Sequence, residues 1–367
     1  MFLFGGSDPF LGLDIGSNTI KLALLRSSAR GSHELLNFGL TQLEPGVVVS
    51  GEIEDSEELT ESIKSLLKAE KIPKHVKQTV FTIPSTTVII RKITVPLMSE
   101  DDLLESIQQE AEQYIPFDID EVNVDFQIVS AEGDIPKAGS KTKQNDDRQM
   151  DILLVAAKKE VIKEYAEAVK AAGLVPMVVD LDVFALENAF QSIFGLDVTG
   201  TVALINIGAT VTNINILQNG VTGYTKDNNV ASQVISELIQ RKLGMSFKEA
   251  EMHKLGHLQD QHTAEEVTPY IRDGLRTLTS EINKTFELFA RTSDAKIERI
   301  YLAGGGAMME GIEQIISADT NINCEVINPF QNLKINRRTF DESYLKYMAP
   351  AAVIALGLAL RRDDDKN

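Results

Sequence analysis

The chain has 367 residues, of which 43% are hydrophobic and 25% are charged, a balance typical of a globular protein with more than one hydrophobic core. Its formal net charge of −18 repels nucleic-acid phosphates, and because no local basic patch opposes that charge we expect no nucleic-acid partner. The single cysteine, Cys324, has no partner for an internal disulfide, which is typical of a reducing cytoplasm.

No segment of the sequence has the pattern of a membrane span or a signal peptide. Residues 1–10 lack a basic leader, and the apolar run Ala349–Arg362 is shorter than the ~20 residues that a span needs. We therefore predict a buried helix at Ala349–Arg362, ended by Arg361 and Arg362, and no direct membrane insertion. Work at a membrane would require a partner that holds the chain there.

Two segments share one pattern, in which an apolar strand, a small polar loop and a second strand follow one another. They are Phe10–Leu25 and Thr201–Leu217, and their alternating Val, Ile and Leu residues predict a hairpin in each. Two matched hairpins indicate a duplicated architecture.

Between the hairpins, a small inserted α+β subdomain is predicted at about Thr86–Lys158. Its elements are a strand at Thr86–Pro96, a helix at Ser99–Tyr114, and strands at Val122–Val129 and Ile152–Ala157, with a polar mobile loop over 131–149. Ser99 is the expected N-cap of the helix. Its apolar stripe, of a kind more often core than docking face, consists of Leu103, Leu104, Ile107 and Ala111.

After the second hairpin, helices are predicted at Ser232–Gly244 and Glu265–Arg291. A strand at Arg299–Leu302 then leads into three glycines, and a helix is predicted at Met308–Ile316. The fold class is therefore α/β with an insertion.

Three loops carry residues suited to a phosphorylated ligand. In the first, Asp14 precedes Gly16, Ser17 and Asn18, whose amides can surround a phosphate, and Lys21 adds a positive charge. The second contains Gly208, Ala209 and Thr210, and the third contains Gly304, Gly305 and Gly306, which permit close backbone contact with a base or ribose. Taken singly, each is also a simple glycine turn.

His253 and His257 are four residues apart on a predicted helix, as in a zinc-binding helix. The glutamate of an HExxH motif is absent, and Gly256 weakens the helix, so we interpret both histidines as exposed structural residues.

The order of the three loops resembles that of the actin, Hsp70, FtsA and sugar-kinase superfamily. Within it, the sequence is identified as a member of the PilM family of type IV pilus assembly proteins, a resemblance that runs from about Leu11 to Arg361. The segments that carry it are Gln109–Val129, Ile152–Ile162, Val178–Phe190, Asn328–Phe330, and Ala349–Pro350 followed by Gly357–Arg361.

The resemblance implies an actin-like two-lobed α/β fold with an inserted FtsA-type strand-helix-strand-strand subdomain. Residues 1–85 and 159–200, with a C-terminal helix at 345–362, would form the first lobe. Residues 86–158 would form the partner-binding insertion, and residues 201–344 the second lobe.

The resemblance also implies that ATP and Mg²⁺ bind between the lobes. Asp14 would contact Mg²⁺ through water. The phosphates would contact Gly16, Ser17, Asn18 and Lys21 from one side and Asn206, Gly208, Ala209 and Thr210 from the other. Gly304, Gly305 and Gly306 would form the adenosine loop, with Lys254 beside the nucleoside.

Three departures from the family pattern concern hydrolysis. Asn206 stands where relatives have an aspartate, which removes a carboxylate that would hold magnesium waters. The segment 225–232 lacks a glycine pair near the ribose, and Asp182 occupies the water-orienting position where relatives have glutamate or glutamine. Asp182 is thus a weak catalytic candidate, and we expect hydrolysis to be absent or very slow.

As partner, the resemblance implies the cytoplasmic N-terminal tail of PilN, which would place this protein in the cytoplasm, peripheral to the inner membrane. Contacts with the pilus motor ATPase and platform proteins, and self-association, remain open. Two other classes also remain: an FtsA-like cell-division filament protein, and a sugar or acetate kinase-like phosphotransferase. The acidic end of the sequence argues against an FtsA-like amphipathic membrane helix, because anionic lipid repels it.

Overall fold

The computed structural model describes residues 9–28, 32–131, 135, 148–257 and 264–361. The first sheet contains β1 (Leu11–Ile15), β2 (Thr19–Ser27), β3 (His33–Gln42), β6 (Gln78–Ile83) and β10 (Val175–Leu181), in the order β10-β6-β1-β2-β3. The second contains β11 (Thr201–Ile207), β12 (Thr212–Gln218), β13 (Val221–Asn228), β14 (Arg299–Ala303) and β15 (Asn323–Val326), in the order β13-β12-β11-β14-β15. A third contains β7 (Val88–Pro96), β8 (Val122–Ala131) and β9 (Gln149–Lys158), in the order β7-β9-β8. A short hairpin pairs β4 (Val48–Val49) with β5 (Glu52–Ile53).

The helices lie on and between these sheets. They are α1 (Ser56–Ala69), α2 (Glu100–Ala111), α3 (Lys159–Ala171), α4 (Asp182–Phe194), α5 (Gln233–Leu243), α6 (Phe247–Lys254), α7 (Ala264–Thr292), α8 (Ile312–Thr320) and α9 (Glu342–Ala359).

Both predicted hairpins are present, and the two five-stranded sheets repeat one topology. β1 pairs antiparallel with β2 and parallel with β6, while β11 pairs antiparallel with β12 and parallel with β14. The two candidate loops, residues 16–18 and 208–211, therefore lie at equivalent carboxyl ends of their sheets. The predicted duplication is confirmed, whereas the boundaries predicted for the lobes stay a prediction.

The C-terminal helix α9 lies between α4 and β1, and its backbone is in close contact with the backbone of each. A Cβ atom added to Gly357 would be 1.8 Å from the Ala185 carbonyl oxygen on α4, and one added to Gly12 would be 2.2 Å from the Ala355 carbonyl oxygen on α9. Residues 348–359 of α9 are all buried. The predicted buried helix is confirmed, although it begins earlier and ends at Ala359. No helix within the described residues is long and apolar enough to cross a membrane.

The insertion has the predicted strand-helix-strand-strand order and a hydrophobic core of its own. The Ser99 hydroxyl accepts a hydrogen bond from the Asp102 amide at 3.2 Å, which confirms the predicted N-cap. The apolar stripe predicted for α2 was partly wrong as a buried face. Leu103, Ile107 and Ala111 are buried, but Leu104 is 59% exposed. Position 104 lies about 100° around the helix from position 103, away from the sheet. Most of the predicted polar loop over 131–149 lies outside the described residues.

Most other predicted elements are present, with shifted ends. The predicted strand at Thr86–Pro96 begins at Val88, after a 3₁₀ turn at Ser85–Thr87. The helix predicted at Met308–Ile316 is wrong in its start: residues Gly305–Met308 form a 3₁₀ turn, and α8 begins only at Ile312. Gly311 adopts a φ of 76° just before α8, and this left-handed residue separates the turn from the helix.

We predict that Gly357→Ala strongly destabilises the protein, because its methyl group would overlap backbone atoms of α4 that a side-chain movement cannot clear. The free energy of unfolding should fall by about 3 kcal/mol or more, at or beyond the usual cost of overpacking. Urea denaturation without nucleotide measures this change. Gly305→Ala is the matched control, since no atom lies within 4 Å of its added Cβ. Equal unfolding midpoints for the two variants would contradict the close packing of α9 on α4.

Candidate functional site

The first candidate loop is a tight turn whose small residues remain partly exposed. The Gly16 amide donates to the Thr19 carbonyl oxygen at 3.1 Å. The carbonyl oxygen of Asn18 accepts a hydrogen bond from the Leu43 amide at 2.9 Å, which holds the loop against the residue that follows β3. Ser17 lies at the tip. The loop is thus fixed by backbone bonds that leave its small side chains on the surface of the cleft.

Asp14 and Lys21 form an ion pair beneath this loop. They are directly opposite in the β1–β2 register, and Lys21 Nζ lies 2.9 Å from Asp14 Oδ2. Both side chains are largely buried. The Lys21 charge therefore first compensates Asp14, and any contact with a phosphate has to be shared with that carboxylate.

The second candidate loop repeats the geometry of the first and touches it. The Gly208 amide donates to the Val211 carbonyl oxygen at 3.0 Å, the same i to i+3 bond that Gly16 makes. Ser17 Oγ and Thr210 Oγ1 are 2.9 Å apart and hydrogen-bonded. The two loops that the sequence predicted to face one another are therefore in direct contact through their hydroxyl groups.

Helix α5 begins directly behind the second loop and links it to Lys254. The Ser232 hydroxyl donates to the Gly208 carbonyl oxygen at 2.8 Å, and the first amide of α5 donates to the Ala209 carbonyl oxygen at 2.9 Å. Lys254 Nζ lies 3.3 Å from the Ser232 carbonyl oxygen and 2.6 Å from Glu251 Oε1. Burial lowers the pKa of Lys254, whereas Glu251 acts in the opposite direction. Lys254 thus reaches the second loop through Ser232.

The glycine loop after β14 packs against the strand that precedes the second loop. Gly304 has a φ of 89°, and an added Cβ would lie 2.4 Å from the Ile207 carbonyl oxygen and 2.5 Å from Asn206 Oδ1. A Cβ on Gly306 would lie 2.3 Å from Ile207 Cγ2, while one on Gly305 would meet nothing. Packing on β11 therefore requires Gly304 and Gly306, and only the exposed Gly305 leaves open space.

Asp182 is the first residue of α4 and lies among other carboxylates at the carboxyl end of the first sheet. Burial raises its pKa well above the ordinary range, and the negative charges of Asp14 and Asp227 raise it further, with Lys21 acting in the opposite direction. Asp14 and Asp182 were predicted from the sequence as site residues, whereas Asp227 was not.

Asp227 ends a row of polar side chains that crosses the second sheet. Asn206 pairs with Asn213 in the β11–β12 register, and Asn213 pairs with Asp227 in the β12–β13 register. Asn206 Nδ2 donates to Asn213 Oδ1 at 2.9 Å, and Asn213 Nδ2 donates to Asp227 Oδ1 at 2.9 Å and to Ser85 Oγ at 2.8 Å. The sequence could have indicated part of this row, because the four-residue loop of the predicted hairpin places Asn213 opposite Asn206.

The exposed interpretation of the two histidines was wrong for His253. It is 3% exposed, because it lies on the same face of α6 as the buried Ala250. His257 follows α6, and its Nε2 lies 3.0 Å from the Tyr347 hydroxyl on α9.

The repeated sheets, the helices α4 and α9 between them and the facing hairpin loops define a protein of the actin-like fold. The solved structure of the ethanolamine utilization protein EutJ from Carboxydothermus hydrogenoformans shares this fold, with 15% identity and a TM-score of 0.58 over 97% of this chain and 90% of the other. The solved structure of MreB5 of Spiroplasma citri bound to ADP also shares it, with 12% identity and a TM-score of 0.52 over 98% of each chain.

Residues 12–363 match the family described as type IV pilus assembly protein PilM, and the chain belongs to that family. It is also similar to a chain of the solved PilM–PilN type IV pilus biogenesis complex, with 27% identity and a TM-score of 0.83. That alignment covers 96% of this chain and 98% of the other. The protein is therefore a type IV pilus assembly protein.

We predict that Asp182 makes the nucleotide-free protein less stable as the pH rises. A carboxyl group whose pKa is raised by folding binds more protons in the folded state than in the unfolded state. Its contribution to the free energy of unfolding is fully present below the ordinary carboxyl pKa and is lost as the pH rises through the raised pKa. Asp182→Asn should remove this loss, measured by urea denaturation at several pH values between 5 and 8.

The matched control is Asp197→Asn, which removes one exposed carboxylate from the opposite, amino end of β11. It should follow the wild-type pH dependence. If Asp182→Asn also follows it, the carboxylates do not act on Asp182 as described.

Proposed function

We propose that the protein acts in type IV pilus assembly by binding MgATP between the two hairpin loops and the N-terminal tail of PilN at its insertion. The alignment with the PilM–PilN complex along nearly the whole chain is the observation that carries this proposal. It favours a PilM-like function over the FtsA-like and kinase-like alternatives.

The residues around the cleft fit a nucleotide with its magnesium ion. The two loops have matching glycine turns with partly exposed tips, and small residues there let backbone amides approach phosphate oxygens. The MreB5 structure of the same fold is bound to ADP. No group of three or more His, Cys, Asp or Glu side chains that could hold a metal is found among the described residues. Mg²⁺ bound with a nucleotide uses only one or two carboxylates, phosphate oxygens and waters.

In this proposal, each loop has one part of the nucleotide to hold. Residues 16–18 and 208–210 would hold the phosphates, and the hydroxyls of Ser17 and Thr210, which are hydrogen-bonded to each other, would be available to donate to phosphate oxygens. Asp14 would hold magnesium waters, and Lys21 would limit the negative charge of the site. Gly305 offers the open backbone beside the nucleoside, with Lys254 supporting the second loop.

We predict that MgATP raises the melting temperature, because a ligand that binds only the folded state stabilises it by about 2.7 kcal/mol at 100 times its Kd. Thermal melts with and without millimolar MgATP measure the shift. Asp14→Asn should abolish it by removing the carboxylate that faces the magnesium waters. Asp197→Asn should keep it. An unchanged wild-type melting temperature would refute nucleotide binding in this cleft.

We also predict very slow ATP turnover. Asn206 supplies no negative charge to a metal, and Asp182 is shorter than the glutamate that would orient the attacking water. Phosphate release by the purified protein should stay far below the order of 1 per second that is ordinary for enzymes. Turnover at or above that rate would contradict this prediction without affecting the binding proposal.

The insertion is the proposed docking site for the PilN tail. Its inner strand residues, including Val88, Ile90 and Val155, pack against the core of the first sheet, so the insertion adjoins the first sheet through its own sheet. We propose that a short peptide binds beside this contact through a few apolar anchors and main-chain hydrogen bonds. The net charge of −18 favours a peptide with basic flanks, as cytoplasmic juxtamembrane tails tend to have. This contact would place the protein at the cytoplasmic face of the inner membrane.

We predict that replacing residues 91–154 with a short Gly/Ser turn abolishes binding of a PilN N-terminal peptide. The cut is compatible with folding because Ile90 and Val155 are paired neighbours and both keep their contacts with the first core. Peptide affinity is measured by fluorescence anisotropy, and MgATP melts verify that the rest of the protein is folded. Leu104→Ser, on the outer face of α2, is the matched control and should keep the affinity for the peptide. Peptide binding that survives the replacement would place the PilN site elsewhere.

A further inference from the structure

We propose that Asp227 is a second carboxylate of the magnesium end of this nucleotide site, and that Asn213 is the residue that positions it. The inference rests on the proposed MgATP binding and deepens it. It assigns to β13 a negative charge that Asn206, an uncharged amide on β11, does not supply.

Asn206 is held away from a metal by its neighbours on β12 and in the glycine loop. Its amide nitrogen donates to Asn213, and its Oδ1 lies against Gly304, since a Cβ there would be 2.5 Å from that oxygen. Asn206 is 8% exposed. Both polar ends of the side chain therefore face protein, and Asn206 connects the glycine loop to β12.

Asp227 borders a cavity between the base of the insertion and the second sheet. The cavity has a volume of about 330 Å³, and it is lined by Ser85 and Thr86 of the 3₁₀ turn after β6, by Val88 and Ile90 of β7, and on the side of Asp227 itself by Lys226. Its charge, like that of Asp14, acts on Asp182. Carboxylates of both sheets thus approach one region, and Lys21 compensates Asp14.

Asn213 fixes the direction of the Asp227 carboxylate. Asn213 is 2% exposed, and its Nδ2 donates at once to Asp227 Oδ1 and to Ser85 Oγ. An amide held at both hydrogen atoms and at its oxygen cannot rotate without breaking buried bonds. Neighbours that orient a metal-binding carboxylate in this way typically change metal affinity by about 10- to 100-fold when mutated.

The chemistry of Mg²⁺ suits this arrangement. The ion binds nucleotides through phosphate oxygens, waters and one or two carboxylates. Asp14 comes from the first sheet and Asp227 from the second, so an ion whose waters contact both compensates charge from each side of the cleft. Asp227 would contact the ion through water, as proposed for Asp14.

The test measures the free Mg²⁺ concentration that gives half of the ATP-dependent rise in melting temperature. Asp227→Asn should raise this concentration about 10-fold or more while the small effect of ATP in EDTA stays unchanged. Asp197→Asn, the same change of charge on an exposed loop, should leave it unchanged. Asn213→Ala should act in the same direction as Asp227→Asn.

The double variant separates positioning from general destabilisation. If Asn213 acts through Asp227, adding Asn213→Ala to Asp227→Asn raises the Mg²⁺ requirement no further. Additive effects would assign Asn213 an independent structural role and overturn that half of the inference.

The two proposals fail differently. If the wild type shows no MgATP shift, the proposed function falls and this inference falls with it. If the wild type shifts and Asp227→Asn has the wild-type Mg²⁺ requirement, the inference is overturned and nucleotide binding stands.

Discussion

The close backbone contact of α9 with α4 on one side and with β1 on the other is the constraint on which the arrangement of the two sheets depends. Gly357 and Gly12 are the residues that permit it, because a methyl group at either position would overlap a carbonyl oxygen. α4 also packs on the second sheet: its Leu186 and Phe190 share a core with Leu204 of β11. Each such side chain contributes about 1.5–3 kcal/mol when fully buried. With both sheets held on this helix pair, the carboxyl ends of β1 and β11 meet.

This meeting of strand ends explains how the candidate site arises from two ordinary hairpins. Each loop is held by the same glycine-amide bond. Together they present hydroxyls that already contact each other, as Ser17 and Thr210 show. The Asp14–Lys21 pair and the Asn206–Asn213–Asp227 row are the cross-strand neighbours of these loops, so strand register alone places them at the cleft.

The insertion is physically separate from this site and yet connected to it. Its helix and sheet enclose a core of their own, which is compatible with the proposed docking role. Its first strand follows directly from Ser85–Thr87, and Ser85 accepts the hydrogen bond from Asn213. The buried side-chain amide of Asn213 therefore joins the base of the insertion to the polar row of the second sheet.

The sequence by itself determined the elements with strong local signals. Alternating apolar residues predicted both hairpins, Ser99 predicted the start of α2, and the unbroken apolar run predicted the buried α9. It predicted the order of the three loops too, because glycine and small polar residues mark tight turns wherever they occur. Family motifs added the actin-like fold and its insertion, neither of which periodicity alone can distinguish from other α/β arrangements.

Only the tertiary structure decided which side chains lie together. Asp227 is 213 positions from Asp14 in the chain, and nothing local to the segment 225–232 shows that both act on Asp182. Burial of His253, exposure of Leu104 and the pairing of Lys21 with Asp14 likewise depend on what packs opposite each residue. The late start of α8 depends on the left-handed Gly311. Local sequence specifies backbone preference, whereas contacts between distant strands and helices set burial, charge and the composition of a site.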